Sequence, residues 1–91
     1  MNLDIRHDRA EERFETRVDG ALCVLDYHLA GGVMTITHTG VPPAVEGRGI
    51  ASALTQAAME TARAEGLKVA PACSYAAAWL RRHPEFADLR A

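Results

Sequence analysis

The sequence is poor in the residues that build disulfide scaffolds and metal sites. It has two cysteines among 91 residues, Cys23 and Cys73, and they do not form a CxxC pair. Two cysteines are too few for a disulfide framework, and the cytosol keeps such thiols reduced. The four histidines show no paired spacing such as HExxH, so we predict no metal site.

Long apolar runs and an excess of basic charge are also lacking. No apolar run approaches the length of a membrane-spanning helix, and the first residues lack the basic-then-apolar order of a signal peptide. We therefore expect a cytoplasmic protein with no membrane partner. The formal net charge is −2, whereas nucleic-acid binding favours a basic patch, so we expect no nucleic-acid partner.

The length indicates one small domain. A chain of 91 residues buries roughly three fifths of its unfolded surface, which is enough for one hydrophobic core. We therefore predict that residues 1–91 form a single domain, present as a monomer or a weak homodimer.

The order of the patterns predicts an α+β fold. Alternating and β-branched residues indicate strands, Asp19-Gly20 is a strong hairpin signal, and apolar residues at helical spacing begin at Ile50. The strand after the first helix is expected to pair in parallel with the strand before it. The predicted strands are residues 3–7, 14–18, 21–29, 33–39 and 67–70, and the predicted helices are 50–65, ended by Gly66, and 75–82, capped by Ser74.

The most informative stretch is Glu46-Gly47-Arg48-Gly49-Ile50-Ala51, between a strand and the long helix. Two glycines let the backbone turn tightly and let a ligand approach closely. The free N–H groups at the start of a helix, together with the positive end of its dipole, form an anion site that suits pyrophosphate. The guanidinium of Arg48 is expected to add a positive charge there. The alternative is a tight turn before a helix that binds no ligand.

Two well-known phosphate loops do not fit this stretch. A P-loop requires Gly-Lys-Ser/Thr after its spaced glycines, and the sequence has none. The dinucleotide fingerprint requires a third Gly or Ala at position 52, where this chain has Ser52, and a larger doubly wound sheet than this chain can build.

The stretch resembles the acetyl-coenzyme A loop of GNAT N-acetyltransferases, whose signature is Gln/Arg-x-x-Gly-x-Gly/Ala. Gly49, Ile50 and Ala51 fit its last three positions, and Glu46 stands where the family has Gln or Arg. From about Ala21 onwards the chain is similar to a group of small single-domain GNAT proteins. The further motifs that carry this likeness are Thr37-His38-Thr39-Gly40-Val41-Pro42, Pro71-Ala72-Cys73-Ser74-Tyr75 and His83-Pro84-Glu85.

The resemblance implies a truncated GNAT (acyl-CoA N-acyltransferase) fold and acetyl-CoA, or coenzyme A, as cofactor. That fold has a mixed, mostly antiparallel sheet of about five strands with two helices. It lacks the helical arm that usually follows the first strand and helps to build the acceptor site. The residues expected to contact the cofactor are Thr39, Val41, Glu46, Gly47, Arg48, Gly49, Ile50, Ala51, Ser52 and Ser74.

Three residues are candidates for catalysis. The resemblance places Cys73 near the thioester, at a helix start that lowers the pKa of a thiol; the alternative is a small buried residue. The resemblance also implies a gap between the strands that carry Thr37 and Val69, into which the pantetheine arm enters. His38 borders this gap and is the candidate general base; the alternative is a histidine on a half-exposed strand. Tyr75 is expected to protonate the leaving thiolate, or else to pack in the core.

Two functions of different classes follow from the resemblance. The first is an N-acetyltransferase, in which an amine of a small molecule or a protein attacks the thioester directly. The second is a module that binds coenzyme A or acyl-coenzyme A without efficient turnover. A third hypothesis is a plain α+β interaction domain whose loop binds no coenzyme A.

Overall fold

The computed structural model describes residues 2–91, and its element order confirms the predicted β-β-β-β-α-β-α arrangement. The predicted first strand, residues 3–7, is shifted and shortened to Arg6–Asp8. No helix within residues 2–91 is both long and apolar enough to cross a membrane. The elements are β1 (Arg6–Asp8), β2 (Arg13–Val18), β3 (Ala21–Ala30), β4 (Val33–Gly40), α1 (Ile50–Glu65), β5 (Lys68–Pro71) and α2 (Ser74–Arg82), with short 3₁₀ helices at Pro43–Val45 and Pro84–Leu89.

The five strands form one sheet in chain order, β1-β2-β3-β4-β5. The first three pairs are antiparallel, and β4 pairs in parallel with β5 through the crossover that contains α1. Asp19 and Gly20 join β2 to β3 with positive φ angles of 50° and 79°, as a two-residue type I′ turn requires. The mixed, mostly antiparallel sheet predicted for a truncated GNAT fold is therefore confirmed.

The hydrophobic core lies on one face of this sheet, beneath the helices. Buried side chains alternate along the strands, and α1 contacts both α2 and the C-terminal 3₁₀ helix. Side chains on the other face of the strands are half-buried or exposed, and we call this the open face. The largest fully buried side chains are Phe14, Leu25, Met34, Ile36, Ile50, Leu54, Met59, Val45, Val69, Thr55 and Cys23.

A β-bulge changes the facing of the last residues of β4. Tyr27 pairs with Ile36 and Asp26 pairs with His38, which leaves Thr37 without a partner on β3. After this extra residue the alternation is shifted by one. Thr39 consequently faces the core side with its partner Leu25, and His38 lies on the open face.

The start of α2 corrects one detail of the sequence analysis. Ser74 was predicted to cap this helix, but Ser74 is its first helical residue. Cys73 occupies the capping position with extended backbone angles, and no side chain forms a capping hydrogen bond. The backbone N–H of Cys73 instead bonds the Ile36 carbonyl at 2.9 Å, which fixes the start of α2 against β4.

Candidate functional site

A cavity of about 490 Å³ opens where β4 ends and α1 begins. The first turn of α2 contributes to its wall through Tyr75, whose side chain is exposed. Every residue that lines the cavity was named as a candidate from the sequence. The lining residues are Thr39, Val41, Glu46, Gly47, Gly49, Ile50, Ala51, Ser52 and Tyr75.

The N-terminus of α1 is open towards this cavity. Gly49 is the capping residue, with φ of 77°, and provides no side-chain hydrogen bond; the first turn carries no acidic residue. Gly47 also has a positive φ, of 80°, and a Cβ at either glycine would meet no heavy atom within 4 Å. The first backbone N–H groups of the helix are therefore free for an anion, and the positive end of the dipole favours one. These residues fit the pyrophosphate of acetyl-CoA.

The charged side chains of the loop do not form the arrangement expected from the sequence. The guanidinium of Arg48 donates to the Asp19 carboxylate at 2.8 Å, on the turn between β2 and β3, and does not line the cavity. Glu46, by contrast, lines the cavity, where its carboxylate opposes an anionic ligand. In the free chain the backbone of the loop, and not Arg48, therefore supplies the positive end of the site.

The Cys73 thiol lies beside the cavity, next to Thr39. Its sulfur is 3.6 Å from the Thr39 hydroxyl oxygen, and Thr39 itself lines the cavity. Burial raises the pKa of this thiol, but hydrogen bonds from the Ala76 backbone and the Thr39 hydroxyl outweigh burial, so the pKa lies below its usual value. A lowered pKa is typical of a cysteine at the start of a helix.

His38 does not lie beside Cys73. It was expected to border the same gap, but the bulge turns it to the open face and brings Thr39 to the thiol. Its imidazole folds over Gly40, with Nε2 2.8 Å from the position that a Cβ on Gly40 would occupy. On the open face His38 is the register partner of Asp26, whose carboxylate accepts a hydrogen bond from Arg13 at 2.7 Å. A catalytic role for His38 stays a prediction.

One contact that was not predicted from the sequence joins the two helices at the cavity. The indole N–H of Trp79 donates to the Ser52 hydroxyl oxygen at 2.9 Å, so α2 is bonded to the first turn of α1. Trp79 is 3% exposed and stacks on His83, with ring centroids 3.6 Å apart. A buried indole N–H must find an acceptor, which is the signal that points to such a contact. Ser74 is exposed and does not line the cavity, so its contact with the cofactor stays a prediction.

Comparison with known proteins identifies the family. A family model described as GCN5-related N-acetyl-transferase matches residues 13–89, which is most of the chain. The chain belongs to the GCN5-related N-acetyltransferase family. The resemblance inferred from the loop and the downstream motifs is therefore confirmed.

Similar proteins are found in vertebrates and bacteria. The chain is 35% identical over 86 residues to Protein NATD1 of Xenopus tropicalis, covering 91% of this chain and 79% of that protein. It is 35% identical over 85 residues to Protein NATD1 of Homo sapiens, covering 90% and 75% of the two proteins. The NMR structure of a GCN5-like candidate N-acetyltransferase from Staphylococcus aureus superposes with a TM-score of 0.79 at 30% identity, covering 99% of this chain and 89% of that chain.

Proposed function

We propose that the chain binds acetyl-CoA and transfers its acetyl group to an amine. The observation that carries this proposal is the uncapped N-terminus of α1, which opens onto a cavity of about 490 Å³. An anion bound there gains both the free backbone N–H groups and the helix dipole. In a family of N-acetyltransferases, the pyrophosphate of acetyl-CoA is the anion that fits.

The acyl end of the ligand is assigned to the neighbourhood of Thr39 and Cys73. The pairing of β4 with β5 ends at Ile36 and Pro71, where β5 itself ends, while β4 continues to Gly40. Thr39 lies on this continuation of β4 and lines the same cavity as residues 46–51. A ligand anchored at α1 and extended along the end of β4 therefore brings its thioester towards the Cys73 thiol.

Acetyl-CoA supplies an activated acyl group: the amine nitrogen forms a bond to the acyl carbon, the carbon–sulfur bond breaks and the thiolate leaves. Tyr75, exposed at the cavity wall, is placed to return a proton to that thiolate. Cys73 contacts the cavity-lining residue Thr39 and, in this proposal, does not carry the acetyl group. His38 lies on the open face whereas Thr39 faces the core side, so His38 would take the proton of the amine through a water that it holds.

A second candidate function is a coenzyme A-binding module without efficient turnover. The observation that favours it is the open face of the sheet, which no helix among residues 2–91 covers to form an acceptor pocket. In the proposed function the acceptor is an amine of a small molecule or a protein, and the location is cytoplasmic.

Two measurements separate these functions. Calorimetry with coenzyme A and acetyl-CoA tests binding, and thiol release from acetyl-CoA with a panel of small amines and lysine peptides tests transfer. Binding together with amine-dependent thiol release supports the transferase. Binding without such release supports the module, and absence of binding refutes both.

A further inference from the structure

The hydrogen bond between Trp79 and Ser52 joins a buried donor to a residue of the ligand cavity. Trp79 is 3% exposed, its indole ring stacks on His83, and the ring centroids of Trp79 and Phe86 are 5.6 Å apart. The Nδ1–H of His83 also donates to the Trp79 carbonyl at 2.7 Å. The direction of the indole N–H is thereby set by the packing of α2 and not by the ligand.

The acceptor of this bond is a hydroxyl with a free proton. A serine hydroxyl has one donor and two acceptor positions. Ser52 uses an acceptor position for the indole, and within residues 2–91 its own O–H finds no protein acceptor. Thr55, one turn further along α1, differs in this respect because its hydroxyl donates to the Ala51 carbonyl at 2.8 Å. The Ser52 proton is therefore available to a ligand in the cavity that this residue lines.

We propose that Trp79 is a positioning residue for the phosphate end of coenzyme A. Its N–H holds the Ser52 oxygen so that the Ser52 proton points into the cavity, beside the free N–H groups at the start of α1. The proposal rests on the proposed function, because it assigns the phosphates to that helix end. Trp79 itself touches no ligand; it orders the hydroxyl in advance and removes the cost of ordering it on binding.

The test compares coenzyme A with pantetheine, which lacks the phosphates. Calorimetry is carried out on the unmodified chain, Trp79→Phe, Ser52→Ala and the double variant. Phenylalanine keeps an aromatic ring against His83 but has no N–H. Because Ser52→Ala removes a hydrogen bond to a charged group, we expect it to bind coenzyme A about tenfold or more weakly. Trp79→Phe keeps that hydroxyl but must order it on binding, so we expect a smaller loss of about two- to tenfold. The double variant is expected to lose no more than Ser52→Ala alone, and pantetheine affinity is expected to stay unchanged.

Thr55→Val is the matched control on the same helix. It also removes a hydroxyl, but one that is fully buried and bonded within α1, so the ratio of coenzyme A to pantetheine affinity should not change. Equal losses for both ligands in Trp79→Phe would show that the indole acts only through packing and would overturn the proposal. Additive losses in the double variant would overturn it as well.

The single tryptophan provides a second readout that needs no variant of that residue. Its indole N–H gives one resonance in a nitrogen–proton correlation spectrum. We expect this resonance to shift on addition of coenzyme A but not of pantetheine, and to be insensitive to both in Ser52→Ala. An equal response to both ligands refutes the proposal. If the unmodified chain binds no coenzyme A, the proposed function fails too; if it binds and the variants match it, only this inference fails.

Discussion

Replacing Gly49 by alanine is expected to affect stability and binding by different mechanisms. Gly49 has φ of 77°, and a Cβ there would meet no heavy atom within 4 Å. In the free chain the substitution therefore lowers the free energy of unfolding only through the strained backbone conformation. That cost is about 1–2 kcal/mol for a residue with a Cβ in the left-handed region. Gly66 is a matched control at the other end of α1, because its φ is 71° and its surroundings are equally open.

The two variants should separate when ligand binds. Gly49→Ala places a methyl group where the proposed pyrophosphate would approach the backbone, whereas Gly66→Ala lies at the far end of the helix. We expect both to lower the free energy of unfolding by about 1–2 kcal/mol. Only Gly49→Ala is expected to weaken coenzyme A binding, by at least about tenfold, or roughly 1.4 kcal/mol. Gly49→Val should have a larger effect of the same kind.

Urea denaturation measures the stability term, and calorimetry measures the affinity of each folded variant for coenzyme A. The contrary result is that Gly49→Ala and Gly66→Ala are equally destabilised and also bind coenzyme A equally well. That result would mean that the phosphates do not approach the backbone at the start of α1.

Three further predictions concern the same cavity. Because α1 has no acidic residue in its first turn, Ala51→Asp should raise the free energy of unfolding of the free chain by about 0.3–1 kcal/mol in urea denaturation. The same variant should weaken coenzyme A binding in calorimetry, and unchanged or tighter binding would contradict the anion site. Thr39→Val removes a hydrogen bond that lowers the pKa of the Cys73 thiol. The midpoint of the curve of Cys73 alkylation rate against pH should therefore move to higher pH. Thr37→Val, at the bulge, should leave that midpoint in place, and an equal shift in both would exclude a specific Thr39 effect. For direct transfer, Cys73→Ser should keep measurable activity and Cys73→Ala should lose less than about a hundredfold. Mass spectrometry after incubation with acetyl-CoA alone should show no acetyl adduct on Cys73 that an added amine discharges at the turnover rate.

The fold and the backbone conformation of residues 46–51 could be predicted because local chemistry determines them. Asp19 and Gly20 adopt the positive φ angles that their two-residue turn requires, and Gly66 ends α1 in the left-handed conformation, as predicted. The loop residues Gly47 and Gly49 likewise adopt positive φ at the start of α1. In each case the residue type restricts its own backbone, so one sequence is sufficient.

The contacts between distant segments could not be predicted in this way. The bulge at Thr37 exists only in relation to β3, and simple alternation along β4 gives no sign that His38 and Thr39 exchange faces. Arg48 is bonded to Asp19, which only the folded sheet brings near the loop. Such partners depend on tertiary packing, which cannot be deduced from local patterns in a single sequence.

The chain order of the sheet has a consequence for how the molecule folds. Strands β1 to β4 pair with their neighbours through short turns, and closing short loops has a low entropic cost. The parallel pairing of β4 with β5 forms only after the crossover between them, which contains residues 46–51 and α1, has folded back onto the sheet. We therefore expect amide hydrogen exchange to show β2 to β4 as the last region to open and α1 with β5 as an earlier one. Coenzyme A, bound at the start of α1, would then act as a folding ligand, slowing exchange and proteolysis most in the segment that assembles last.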